Sequence, residues 1–198
     1  MKDNKKYNDA TFYKIIRPII KFLFLFLYTP KIIGKENIPK EGRIILAGNH
    51  TNLFDCVMLL SSTKRCIHFL AKKELCDGPK KIIFSNLGII PVNRKIHDHK
   101  SLECAKKYLE NEKVIGIFPE GTIRKEKNTL LPFKIGAVKM AYDTNTKIVP
   151  FTIIGDYKLF SNNLKIIFNK PIQIKNSDLE KENKKLRDKI YSMIKEDN

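Results

Sequence analysis

From Pro30 onward the chain alternates between short apolar runs and stretches of helical periodicity, and this alternation limits the possible folds more than any other feature. Runs of strand length lie at residues 43–48, 66–71, 89–92, 113–118, 147–154 and 164–168. Between them, helical spacing is expected over 52–61, 72–86 (broken near Gly78-Pro79), 101–109, 134–144 and 179–194. Leu102, Ala105 and Leu109 share one helical face, as do Leu186, Ile190 and Ile194. Strands that take turns with helices predict an α/β fold: one layered domain, with a mostly parallel mixed sheet flanked by helices. Pro150 cannot donate to a ladder, which predicts an edge strand or a bulge at 147–154. No repeat and no linker divides residues 31–198, and a chain of 198 residues suits one core with a short appendage.

That appendage is residues 1–30. Phe12 to Tyr28 reads FYKIIRPIIKFLFLFLY, in which Lys14, Arg17, Pro18 and Lys21 interrupt the run that a spanning helix would need. No small-residue cleavage site follows, so a signal peptide is not expected. An amphipathic helix lying on a membrane surface fits the pattern, with basic side chains reaching toward anionic headgroups. A buried helix of the core is the competing reading.

Charge supports a surface role. The formal net charge is +17, which calls for an anionic partner: nucleic acid, a membrane surface or a phosphorylated substrate. The first 35 residues hold eight Lys/Arg against Asp3 and Asp9, whereas residues 177–198 are neutral. Basic residues interleaved with apolar ones suit a membrane better than a DNA-reading helix, and no nucleic-acid motif is present. Cys56, Cys66, Cys76 and Cys104 form no CxxC pair and no Cys/His group at zinc spacing. No metal is expected, and the thiols read as reduced, in a cytosolic compartment.

Two stretches carry chemistry. Gly48-Asn49-His50-Thr51-Asn52-Leu53-Phe54-Asp55 ends an apolar strand. On one helix His50 and Asp55 would point about 140° apart. They meet if His50 lies in the turn and a helix starts at an N-cap Asn52, placing Asp55 at its positive end. A carboxylate there fixes the imidazole tautomer and makes His50 a base for a hydroxyl; a capping box with a bystander histidine is the plainer alternative. The second stretch, Phe118-Pro119-Glu120-Gly121-Thr122, turns sharply after VIGIF, where parallel sheets place ligands. Arg124, Lys125 and Lys127 follow as candidate phosphate-binding cations, and Lys73 and Arg94 each lie just past a strand.

In order, NHxxxxD, AKKEL, GIIPVNR, FPEGT and IVPF resemble the glycerophospholipid acyltransferase family, most closely its 1-acylglycerol-3-phosphate acyltransferases. The resemblance covers about residues 31–171. It implies transfer of an acyl group from a thioester, on acyl carrier protein or coenzyme A, to the hydroxyl of lysophosphatidic acid. Phosphatidic acid would form at the cytoplasmic face of a membrane, with no other cofactor. It implies that His50 is the general base and Asp55 its partner. Glu120, Gly121 and Thr122 would help to form the acceptor site, with Lys73, Arg94 and Arg124 supplying positive charge. Many members place arginine directly after Glu-Gly-Thr, whereas here Ile123 intervenes, a shift that re-aims Arg124 by about 100°. The same machinery could serve glycerol 3-phosphate or another lysolipid. A basic membrane-binding protein without catalysis is the reading from a different class.

Overall fold

The computed structural model describes residues 11–75, 88–93, 99–124 and 129–196. Helix α1 (Thr11–Tyr28) leads into strand β1 (Lys31–Ile33), then β2 (Ile44–Gly48) and α2 (Asp55–Ser62). β3 (Ile67–Lys72), β4 (Ile90–Val92), α3 (His99–Glu110), β5 (Val114–Ile117) and α4 (Gly136–Asp143) follow. β6 (Ile148–Ile154), β7 (Lys165–Phe168) and α5 (Leu179–Lys195) complete the described elements.

The strands form one seven-stranded sheet in the order β1-β7-β6-β2-β5-β3-β4. β2 pairs in parallel with β5 and β6, β3 with β5 and β4, and β1 with β7. β6 and β7 pair antiparallel. Five strands therefore end along the same edge, and the chain leaves the sheet there after β2, β3, β4, β5 and β6. All five residues of β2 are buried, as continuous apolar runs require when helices cover both faces of a sheet. On one face Ile45, Ile115 and Ile148 pack against Leu109 of α3, Met140 of α4 and Leu186 and Ile190 of α5. On the other, Ile44, Leu46, Val149 and Phe151 pack against Met58 and Leu59 of α2 and Phe24 of α1. The expected α/β layered domain is what the structure shows.

All six expected strands form, with ends that move by a residue at most. β1 was not legible: three residues, KII, carry too little pattern, and their pairing with Lys165–Ile167 is what makes them a strand. The expected helix at 72–86 begins instead as a single 3-10 turn, Lys73–Leu75, and its remainder lies outside the described residues.

Pro150 corrects half of its expectation. β6 is an interior strand, flanked by β2 and β7. The proline is tolerated because the partner chain bulges beside it. Three steps of β6 separate Phe151 from Ile148, but four steps separate their partners Phe168 and Ile172. The missing N–H falls in that irregular stretch, while the Pro150 carbonyl accepts from Asn169 N–H at 2.8 Å.

α1 has two unlike faces. Tyr13 and Phe24 are buried, and the Tyr13 hydroxyl donates to the Arg65 carbonyl at 3.2 Å. Arg17 is not turned to headgroups: its guanidinium donates to the Leu60 and Thr63 carbonyls at the end of α2. Those carbonyls lack helical partners, and a cation there also complements the helix dipole. Lys21 is half-buried; burial, then the charges of Arg17, Lys35 and Lys64, lower its pKa. Facing outward are Ile15, Ile19, Phe22, Leu23 and Phe26, each at least half exposed. No described helix is long and apolar enough to cross a membrane.

Candidate active site

β2 stops where it does for packing reasons. A Cβ on Gly48 would lie 2.3 Å from the Phe151 ring, so only glycine fits at the strand end. Asn49, fully buried, then uses its side-chain amide as a strand would use its backbone. Nδ2 donates to the Ile153 carbonyl at 2.8 Å, and Oδ1 accepts from Ile153 N–H at 2.7 Å. His50 is the first residue to leave the sheet.

The helix that follows does not begin as expected. Asn52 is not its cap: Asn52 Oδ1 accepts from Phe54 N–H at 3.1 Å in a tight turn, and α2 starts at Asp55 itself. Asp55 instead reaches backward. Its carboxylate is fully buried, and Oδ2 lies 2.8 Å from His50 Nδ1 while accepting from the N–H groups of Thr51 (2.5 Å) and Asn52 (2.9 Å). Oδ1 accepts from the Thr51 hydroxyl at 3.0 Å and the Tyr157 hydroxyl at 2.5 Å. An unpaired buried carboxylate would cost several kcal/mol, which five donors and a helix N-terminus offset. Since its other neighbours are donors, the carboxylate acts as acceptor and Nδ1 of His50 carries the shared proton. Nε2 is then the nitrogen with a lone pair to offer.

The imidazole is held by more than Asp55. Phe118 stacks on it with centroids 4.2 Å apart and planes 12° apart, and Phe118 meets Phe151 edge-on behind. Its backbone is clamped at both ends: His50 N–H donates to Glu120 Oε1 at 2.8 Å, and the His50 carbonyl accepts from Arg124 N–H at 3.0 Å. The other Glu120 oxygen accepts from Leu131 N–H at 3.0 Å. Glu120 is thus buried, with both oxygens engaged by backbone amides, rather than presented to the open edge.

The turn carrying Glu120 closes through Gly121 N–H to the Phe118 carbonyl at 2.9 Å. Gly121 has φ 70°, and a Cβ there would approach Lys134 Cε to 2.9 Å. Thr122 is exposed. Arg124 is buried and donates to the Thr129 carbonyl. Burial lowers its pKa, against the opposing pull of the Glu120 and Asp55 carboxylates. Lys73 is exposed in the single turn past β3, on the same edge of the sheet. Arg94, Lys125 and Lys127 lie outside the described residues.

Cys56 adjoins Asp55, and burial followed by that carboxylate pushes its thiol up to about 12, which favours the protonated, weakly nucleophilic form. His68 is buried in β3, with Nδ1 2.9 Å from the Gly88 carbonyl and its ring against Tyr108. Among the described residues no group of His, Cys, Asp and Glu is arranged to hold a metal. Sequence reasoning missed Lys134 and Tyr157, and gave Asn49 and Phe118 no role of their own within their motifs. For Tyr157 the available signal was its position, directly after the Gly155-Asp156 turn that ends β6 at the shared edge.

The family model described as Acyltransferase matches residues 29–154. The 1-acyl-sn-glycerol-3-phosphate acyltransferase of Borreliella burgdorferi is 35% identical over an alignment of 198 positions that covers 91% of this chain and 78% of that protein. The enzyme of the same name from Bacillus subtilis is 30% identical over 168 residues, 81% of this chain and 82% of that one. The crystal structure of a 1-acyl-sn-glycerophosphate acyltransferase from Thermotoga maritima superposes with a TM-score of 0.77 at 24% identity, over 99% of this chain and 83% of that one. The last comparison shows a shared fold.

Proposed function

The chain belongs to the acyltransferase family, and we propose that it transfers a fatty acyl group from a thioester to the free hydroxyl of 1-acylglycerol 3-phosphate, lysophosphatidic acid, giving phosphatidic acid at a membrane surface. The observation that carries this reading is the 2.8 Å contact between His50 and a fully buried Asp55, set at the carboxyl edge of a parallel sheet beside the 118–122 turn. An alcohol is a poor nucleophile until a base takes its proton during attack. Nε2 of His50 takes that proton as the hydroxyl oxygen bonds to the thioester carbonyl carbon. Asp55 holds the ring and stabilises the imidazolium that forms. The carbon–sulfur bond then breaks, and the thiolate leaves, receiving the proton from His50. A thiolate is a good leaving group, so neither a strong acid nor a covalent acyl-enzyme is needed.

Glu120 and the Arg124 backbone contribute by holding the His50 main chain at both ends. Lys73, Arg94 and the Arg124 guanidinium supply positive charge toward the acceptor phosphate, with Lys134 beside Gly121 as a further cation. The Gly121-Thr122 backbone gives the acceptor close approach. The donor is acyl carrier protein or coenzyme A, both anionic, met by an enzyme of net charge +17. The outward face of α1 lies on the lipid, at the cytoplasmic side where such thioesters are found.

The test is an assay of purified protein with lysophosphatidic acid in vesicles and each donor in turn. The expected result is phosphatidic acid and free thiol in equal amounts, lost on His50→Ala while vesicle binding stays within about twofold of normal. Unchanged turnover in that variant removes His50 as the base. Faster acylation of glycerol 3-phosphate than of lysophosphatidic acid overturns the acceptor.

A further inference from the structure

One loop touches both the dyad and the N-terminal helix. Tyr157, just past β6, donates its hydroxyl to Asp55 Oδ1, the oxygen turned away from His50, at 2.5 Å. Its ring packs against Phe24 and Tyr28 of α1, with centroids 6.3 Å and 5.8 Å away, and against Phe54 at 6.0 Å. Three residues on, Phe160 N–H donates to the Leu27 carbonyl at 2.7 Å, and the Phe160 ring meets Phe26 edge-on at 6.1 Å.

The other donors to Asp55 (His50, Thr51 and Asn52) all belong to the segment that leads into its own helix. Such donors move when the segment moves. Tyr157 is the donor from elsewhere, 102 residues along the chain, and so fixes the carboxylate relative to the rest of the fold. We infer that Tyr157 is a positioning residue that ties the seating of α1 to the geometry of the His50–Asp55 pair, so that turnover is fast only while α1 is docked. This rests on the reading of His50 as base. Burial, then the Asp55 charge, raises the Tyr157 hydroxyl above the usual phenol range, so it stays a donor at working pH. The chain of contact runs from Phe24 on the inner face of α1 through the Tyr157 ring to Asp55 and on to His50.

Tyr157→Phe keeps the ring contacts and removes the donor. The expected result is a kcat about tenfold lower with KM for lysophosphatidic acid within twofold, as for loss of a hydrogen bond to a charged group. The low-field proton resonance of the His50–Asp55 bond should shift or broaden. Replacing Tyr157 with 3-fluorotyrosine keeps the donor and should hold kcat within twofold of normal. Phe24→Ala touches Tyr157 and not Asp55. It should lower kcat several-fold alone, yet add little to Tyr157→Phe, since coupled groups are not additive. Normal kcat and an unmoved resonance in Tyr157→Phe overturn the inference, as does full additivity with Phe24→Ala. If Tyr157→Phe does not fold, the fluorotyrosine protein decides: a tenfold loss with the donor retained also overturns it. Full activity in His50→Ala sinks the underlying reading instead, whatever Tyr157 does.

Discussion

At the carboxyl edge of the sheet Asp55 keeps a carboxylate out of water with five donors around it, whereas on the far side of α1 Phe22 and Phe26 keep their rings in water, 6.3 Å apart, with Phe160 beside them. Both arrangements run against the usual partition of residues. The first is complete within the molecule, since each polar atom has its partner and its free-energy cost is met locally. The second presents Ile15, Ile19, Phe22, Leu23 and Phe26 together on one face, the kind of exposed apolar patch that marks an interaction site. In the proposed reading the buried polar hub carries the chemistry and the exposed apolar face sets where it is carried out.

Substitutions on the two sides should separate turnover from location. The largest effect belongs to the hub. Asp55→Ala leaves His50 without its partner and five donors without an acceptor, and turnover should fall by about 10³-fold or more with vesicle binding unchanged. On the other side, Phe22→Asp combined with Phe26→Asp should weaken sedimentation with anionic vesicles by about 10²-fold, as two lost ring insertions imply. Thermal stability should move little in that variant, because both rings are already exposed; a large drop in melting temperature would mean that they are packed. A subtler probe of the hub is Glu120→Gln. The amide offers one acceptor oxygen for two N–H groups, so kcat should fall about tenfold, with a smaller loss in stability. The smallest effect falls on the seam between the regions. Arg17→Ala removes the side chain that caps α2 and should cost about 1–2 kcal/mol in denaturant titration. Vesicle binding that falls as steeply as with the paired Asp changes would instead place Arg17 at the lipid.

Most of the architecture could be read from the chain because central strands buried on both faces are written as continuous apolar runs, as in IILAG and IVPFTII. β1 could not, since three residues acquire their conformation from β7. Pro150 was legible as a disturbance but not as an interior one. Its bulge lies in the partner segment, some twenty residues away in sequence. At the site, spacing and the preceding strand allowed His50 and Asp55 to meet, and the family resemblance singled the pair out, although the turn is built by Asn52 bonding to Phe54 rather than by a cap. The inward orientation of Glu120 was hidden because it depends on Leu131, and the Tyr157 hydroxyl because its acceptor is 102 residues distant. Arg17 shows the same limit from the other direction. A basic residue in an apolar helix looks like a headgroup ligand until the open carbonyls of a neighbouring helix are known.

The reversal at β7 has a practical consequence for anyone re-engineering the chain. It sends the 155–163 connection back under the end of α1, where Thr29 bonds to Ser161 and Asn162, Leu27 to Phe160, and Lys31 to Leu164. New termini cut into that connection would detach the helix and loosen the Asp55 carboxylate in one stroke. The exposed turn at Lys40 and Glu41 touches neither the end of α1 nor Asp55, which makes it the better place to splice in a reporter, provided the insertion keeps the Arg65 bonds to the flanking Pro39 and Gly42 carbonyls.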